Sequence, residues 1–183
     1  MTEVGIFGGR FDPPHLGHRA LAETAVARLG LDELHVRVVA DAAHKASVAP
    51  ADDRLAMARL AFAGIAATVE LEHHRYTVDS LEGGPWVDPV FLIGADELQA
   101  LSTWKEPERL LELARLGVAT RPGHPVDSES PRITVFELEP HPVSSTEIRE
   151  RAARGEPIDG LVAPAVAVYI REHGLYVRRS GVH

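Results

Sequence analysis

The chain is predicted to fold as an α/β domain built on a mainly parallel sheet. Two observations carry this expectation. Short apolar runs alternate with segments of helical period, as right-handed β-helix-β crossovers require. The run at residues 90–93, Val-Phe-Leu-Ile, is wholly apolar and stops at Gly94, which fits a central strand covered on both faces. The length of 183 residues and a hydrophobic content of 45% suit one domain with a substantial core. The whole chain, 1–183, is therefore read as a single domain, with a C-terminal helical part at about 144–183.

The elements follow in order. Residues 3–7 form a first strand, and a helix begins near Pro14 or His15, where proline suits a first turn. Leu21, Ala25 and Leu29 recur at i, i+4 and i+8 to give that helix its buried stripe, and Gly30 ends it. Residues 34–39 are a valine-rich strand. Asp52 or Asp53 opens the next helix, in which Leu55, Ala58, Phe62 and Ile65 have helical spacing. Residues 69–71 are a short strand, 108–114 a helix, 116–119 a strand and 133–138 a last strand. Between those last two, residues 121–131 hold Pro, Gly, Ser and acidic residues and read as a surface loop. Helices at 144–154 and 164–173 close the chain. No repeat, low-complexity tract or linker interrupts this order.

Composition excludes several functions. With no cysteine there is no disulfide, thiolate metal site or cysteine nucleophile. A net charge of −8 without a Lys/Arg run argues against a nucleic-acid partner. No apolar stretch approaches the ~20 residues needed to cross a bilayer, and the N-terminus lacks a signal pattern, so a cytoplasmic protein without a membrane partner is expected. Homo-oligomer formation is left open.

The chemistry concentrates in residues 8–18, Gly-Gly-Arg-Phe-Asp-Pro-Pro-His-Leu-Gly-His, between the first strand and the first helix. A glycine turn and a helix N-terminus meet at the carboxyl edge of the sheet, where unpaired N–H groups and the helix dipole favour an anion. His15 and His18, at i and i+3, share one face of that first turn. The glycine spacing matches neither the G-x-x-x-x-G-K-[ST] phosphate loop nor G-x-G-x-x-G. Near the other end, Ser144-Ser145-Thr146-Glu147 has the spacing of a capping box, so a second helix starts there, with Arg149 in its first turns.

The pattern G-G-x-F-D-P-x-H-x-G-H, followed by His44-Lys45, Arg54, Tyr76-Thr77, the run 91–96, Trp104, the Arg-Pro-Gly at 121–123 and Ser-Ser-Thr-Glu-Ile-Arg at 144–149, resembles the nucleotidyltransferases with a H-x-G-H signature. Within them it resembles the bacterial nicotinate-nucleotide adenylyltransferases along nearly the whole chain. That resemblance implies adenylyl transfer from MgATP to nicotinate mononucleotide, on a Rossmann-like sheet with helices on both faces. It implies catalysis by His18, His15 and Arg149. It places ATP on Gly8, Gly9, His15, His18, Gly94, Asp96, Ser144, Ser145, Thr146 and Arg149, and the acceptor nucleotide on His44, Lys45, Arg54, Tyr76, Thr77 and Trp104. Mg²⁺ is expected to arrive with ATP, without a metal cage in the protein.

Three departures mark this chain: Arg10 stands where the family has threonine or serine, Ala42-Ala43 where it has two prolines, and Arg75 where it has serine before Tyr76. A pantetheine-phosphate adenylyltransferase, a noncatalytic nucleotide sensor and a nucleic-acid-binding module are the alternatives. A plain cap for Ser144, a helix start for Asp96 and a core role for Trp104 also stay open.

Overall fold

A computed structural model describes residues 2–41, 47–124, 126 and 130–177. Within it a six-stranded sheet has the order β3-β2-β1-β4-β5-β6, and every pairing is parallel. The strands are β1 (Val4–Gly9), β2 (Glu33–Val39), β3 (Ala67–Glu72), β4 (Val90–Gly94), β5 (Arg115–Thr120) and β6 (Ile133–Glu137). The chain winds outward from β1 to β3, returns to place β4 beside β1, and winds out the other way. β1 and β4 therefore flank the topological switch point, where carboxyl-end loops diverge and leave a crevice for a ligand.

The helices are α1 (Leu16–Leu29), α2 (Ala51–Ala61), α3 (Thr77–Gly83), α4 (Ala95–Gln99), α5 (Pro107–Leu113), α6 (Ser145–Ala153) and α7 (Pro164–Glu172). Strand alternation divides the apolar side chains into two cores. Phe7, Leu34, Val36, Val38, Val90 and Leu92 face Ala22 and Ala25 of α1, Met57 and Ala58 of α2, Ile148 of α6 and Val166 and Ile170 of α7. Ile6, Phe91, Ile93, Leu116 and Val118 face Leu81 of α3 and Leu110 of α5. Helices thus cover both faces, and the C-terminal helices share the core of the sheet.

The sequence reading placed the six strands within one to two residues of their ends. Two short helices escaped it: α3, with seven residues, and α4, with five. Neither is long enough to display an apolar period, and both depend on the sheet beneath them. α2 starts at Ala51 behind Pro50, with both aspartates inside its first turn, where they complement the dipole. Gly30 ends α1 at φ 64°, the left-handed conformation glycine adopts without strain. Among the described residues no helix is long and apolar enough to cross a membrane.

Candidate active site

The turn between β1 and α1 organises the carboxyl edge of the sheet. His15 is the N-cap of α1, and its Nδ1 accepts the His18 N–H at 3.4 Å. In return the His18 Nδ1 accepts the His15 N–H at 3.1 Å. Two histidines thus form the reciprocal capping box that Ser and Glu more often make. Their rings stack with centroids 3.6 Å apart. Gly17 between them leaves room for this stacking: a Cβ there would sit 3.1 Å from the His15 Nδ1, so the ring would have to give way by a few tenths of an ångström.

The box also decides the tautomers. Both Nδ1 atoms accept backbone protons, so each neutral ring carries its own proton on Nε2. Burial, and secondarily the nearby His141, lowers the His15 pKa to about 4. Burial and the adjoining His15 hold His18 well below the ordinary histidine value. Before a ligand arrives, both are neutral Nε2–H donors. An anion in front of them would favour the protonated form and pull those values back up.

The second helix end lies against this turn. Ser144 caps α6 by accepting the Glu147 N–H at 3.1 Å. The reciprocal half of the expected box is not made; Glu147 instead pairs with Arg151, one turn on, at 2.9 Å. Ser145 Oγ donates to the Pro13 carbonyl at 2.8 Å, and Arg149 Nη1 donates to the Asp12 carbonyl at 2.7 Å. Arg149 Nη2 also reaches Thr146 Oγ1 at 3.2 Å, which fixes the plane of the guanidinium. The N-terminal ends of α1 and α6 are therefore joined across 132 and 137 residues of chain.

Between them opens a cavity of about 260 Å³ lined by Gly8, Gly9, Arg10, His18, Gly94 and Ser145. Through Leu21, Gly94 and Glu97 it continues into a cleft of about 350 Å³ that contains Asp96, Thr120, Arg121 and His141. On the other side, sharing Gly8, lies a cavity of about 50 Å³ beside Arg37, Glu72, His74, Tyr76 and Thr77. The three form one groove along the carboxyl ends of the strands, centred on the switch point.

Of the predicted residues, Gly8, Gly9, His18, Gly94, Asp96, Ser145, Tyr76 and Thr77 line these cavities, whereas His15, Ser144, Thr146, Arg149, Arg54 and Trp104 do not. Tyr76 caps α3 and Thr77 begins it. The Lys105 ammonium lies 5.2 Å from the centre of the Tyr76 ring and is paired with Asp79 at 2.5 Å. Trp104 packs edge-on against Phe91 of β4, with centroids 6.3 Å apart. His44 and Lys45 lie outside the described residues. Arg54 differs from its expected place. It is 1% exposed, and Nε, Nη1 and Nη2 donate to the carbonyls of Ala49, Arg10, Val39 and Ala40. An acceptor phosphate would have to displace those carbonyls to reach it. A cation near the start of α2 opposes the helix dipole, and these carbonyls, at Ala49, at the end of β2 and in the β1–α1 turn, are what satisfy it.

Three acidic residues outside the predicted site set are brought to the groove by the fold. Asp12 is 1% exposed, and its carboxylate accepts the Val48 N–H at 2.6 Å and the Ala49 N–H at 3.1 Å. Glu97 Oε2 accepts the Gly94 N–H at 2.7 Å, closing the end of β4. Glu72 is buried at the end of β3. Burial alone would raise its carboxyl, but the Ser80 hydroxyl, the His74 N–H and ring and Arg37 together hold it at about 2. Glu97 could have been found, since an acid three residues after the Gly94 turn has capping spacing; Glu72 had no signal, because its partners come from three different elements.

The chain matches the family model described as cytidylyltransferase-like over residues 6–151. It is 40% identical to a Thermus thermophilus protein named "probable nicotinate-nucleotide adenylyltransferase", an alignment covering 94% of this chain and 98% of the relative. A Bordetella avium protein of the same name is 37% identical, over 96% and 98% of the two chains. The chain belongs to the nicotinate-nucleotide adenylyltransferase family. Its fold is that of a solved structure described as Plasmodium falciparum nicotinic acid mononucleotide adenylyltransferase complexed with NaAD, with a TM-score of 0.81, coverage of 96% and 98%, and 19% identity. As a member of a nucleotidyltransferase family, the chain carries both signature segments on the two joined helix ends.

Proposed function

We infer that this protein transfers the adenylyl group of MgATP to nicotinate mononucleotide, giving nicotinate adenine dinucleotide and pyrophosphate in NAD biosynthesis, as a single cytoplasmic domain. A phosphate oxygen of the acceptor attacks the α-phosphorus of ATP. The bond between that phosphorus and the bridging oxygen breaks, and pyrophosphate carries the electron pair away. The attacking phosphate is already largely ionised at neutral pH, its second pKa being about 6. Alignment and charge neutralisation therefore carry the catalysis.

One observation supports the reading above the others: two helix N-termini, tied by Ser145 to Pro13 and by Arg149 to Asp12, border one cavity at the switch point. A triphosphate there would face backbone N–H groups of both helices. His18 would donate from Nε2 to the α-phosphate, and His15 would steady it from the stacked position. Arg149 would supply a fixed positive charge, and Gly8 and Gly9 would let the backbone come close. Gly94 and Asp96 face the adjoining cleft and suit the adenosine. Tyr76 and Thr77 line the small cavity at the other end; they and Trp104 are assigned to the pyridine nucleotide, and His44 and Lys45 to its phosphate.

Mg²⁺ would be held chiefly by the ATP oxygens. Among the described residues no cluster of three or more His, Asp or Glu could hold a metal, and the Asp12 and Glu97 carboxylates at the cavity already accept backbone N–H groups. The test is pyrophosphate release from MgATP with nicotinate mononucleotide, nicotinamide mononucleotide, phosphopantetheine or no acceptor. Release is expected with the first at the highest kcat/KM. Preference for phosphopantetheine, or binding without turnover, would overturn the reading.

A further inference from the structure

The C-terminal segment reaches the catalytic turn from behind α2. α7 is first fastened to α2 by Tyr169, whose hydroxyl donates to Asp53 at 2.8 Å. Gly174, at φ 58°, then turns the chain, and the Leu175 N–H closes on the Ile170 carbonyl at 3.0 Å. Tyr176 follows at φ 65°, a backbone region that an aromatic residue occupies only when its surroundings hold it there. What holds it is visible: its ring packs against the apolar core, and its hydroxyl donates to Asp12 Oδ1 at 2.8 Å.

Asp12 is a joint between three parts of the site. Its carboxylate is held by Tyr176 and by the N–H groups of Val48 and Ala49, which follow the segment carrying His44 and Lys45. Its main-chain carbonyl is held by Arg149. Asp12 also lines the cavity between the two helix ends. A buried carboxylate beside a polyphosphate is tolerable only while donors engage its oxygens. Burial and the adjacent Asp12 push the Tyr176 phenol well above its ordinary value, so it stays a donor across the neutral range, with Arg54 and Arg149 as the nearby cations.

We propose that Tyr176 is a positioning residue for adenylyl transfer: through Asp12 it fixes the turn from which His18 and Arg149 address the transferring phosphoryl group. This rests on the functional reading above. Removing the hydroxyl leaves the ring packed but lets the turn shift, and small misplacements are felt mainly in the transition state.

The experiment is steady-state pyrophosphate release from MgATP and nicotinate mononucleotide, with thermal unfolding measured alongside, for wild type, Tyr176→Phe, Asp12→Asn and the double variant. Assayed well below the melting transition, Tyr176→Phe is expected to lower kcat about tenfold with both KM values within about twofold, while loss of one hydrogen bond to a buried carboxylate lowers the melting temperature by only several degrees. The double variant is expected to match Asp12→Asn alone, because the two act through one contact. A wild-type kcat in Tyr176→Phe, independent losses that multiply in the double variant, or a kcat loss that vanishes when the assay is run further below the melting transition would each overturn the proposal. Wild-type turnover separates the two questions: its absence contradicts the acceptor reading, whereas its presence beside an unchanged Tyr176→Phe rate contradicts the role of the tyrosine.

Discussion

The two ends of the groove are built on different principles. At the β1–α1 end the polar groups are backbone amides and imidazoles whose orientation is already set by the His15–His18 box, by Ser145 on Pro13 and by Arg149 on Asp12. At the β3–α3 end the space is about 50 Å³, and its walls are side chains held by other side chains, centred on Glu72. Lys105 and Asp79 clasp across Tyr76 above it. On the proposed function, the first end offers a polyanion donors already in place, whereas the second would have to widen to admit a pyridine ring. Substitutions at the first end should therefore act on the chemical step, and substitutions at the second on acceptor affinity.

The largest expected effect tests the first half of that contrast. His18→Ala removes a neutral Nε2–H donor and half of the capping box of α1. With MgATP and nicotinate mononucleotide saturating, kcat should fall by about 10²–10³-fold, the range for losing one preorganised donor to a developing charge. The loss of a cap alone costs stability, about 1 kcal/mol, and would appear in the melting temperature instead. If His18→Ala raised the KM for ATP and spared kcat, the β1–α1 end would be a binding surface only.

The second half of the contrast turns on Glu72. Its Oε1 accepts the His74 N–H and ring nitrogen, both at 2.8 Å, and its Oε2 accepts Arg37 Nε at 3.2 Å and the Ser80 hydroxyl. Glu72→Gln keeps the shape, but whichever way the amide turns, its NH₂ meets donors. The turn leading to Tyr76 and Thr77 should lose its register. The KM for nicotinate mononucleotide is expected to rise about tenfold while the KM for MgATP holds, since a buried group left facing another donor costs about 1–3 kcal/mol. Initial rates with each substrate varied in turn check this. An equal rise in both constants would mean that the two ends are not separate.

Legibility in the sequence follows the same division. The polyanion end announces itself because its residues are consecutive: glycines, histidines and a helix start within residues 8–18, and a second start at 144–149. Strands were legible because a buried parallel strand must be apolar, as residues 90–93 are. The acceptor end depends on residues that meet only after folding. Arg54 shows the limit most plainly: a buried arginine that ties four carbonyls has the same local sequence as one that awaits a phosphate. Nor does any pattern near position 176 point to Asp12, since their hydrogen bond spans 164 residues. α3 and α4 were missed for the related reason that short helices take their stability from what they pack on.

The smallest expected effect sharpens the contrast further. Arg75 lines the small cavity, and a cation there would favour the acid over the amide of the pyridine. Yet its guanidinium stands 3.6 Å from Asp41, with the two side chains 57% and 82% exposed. An exposed pair of this kind contributes little, and its field is weakened by water and salt. Arg75→Ser should therefore change the ratio of kcat/KM for nicotinate and nicotinamide mononucleotides by less than about twofold. A collapse of that ratio would mean that Arg75 leaves Asp41 and turns inward when the pyridine enters. Acid recognition would then belong to a mobile side chain rather than to the Glu72-held turn, and the widening of this end would itself be the source of specificity.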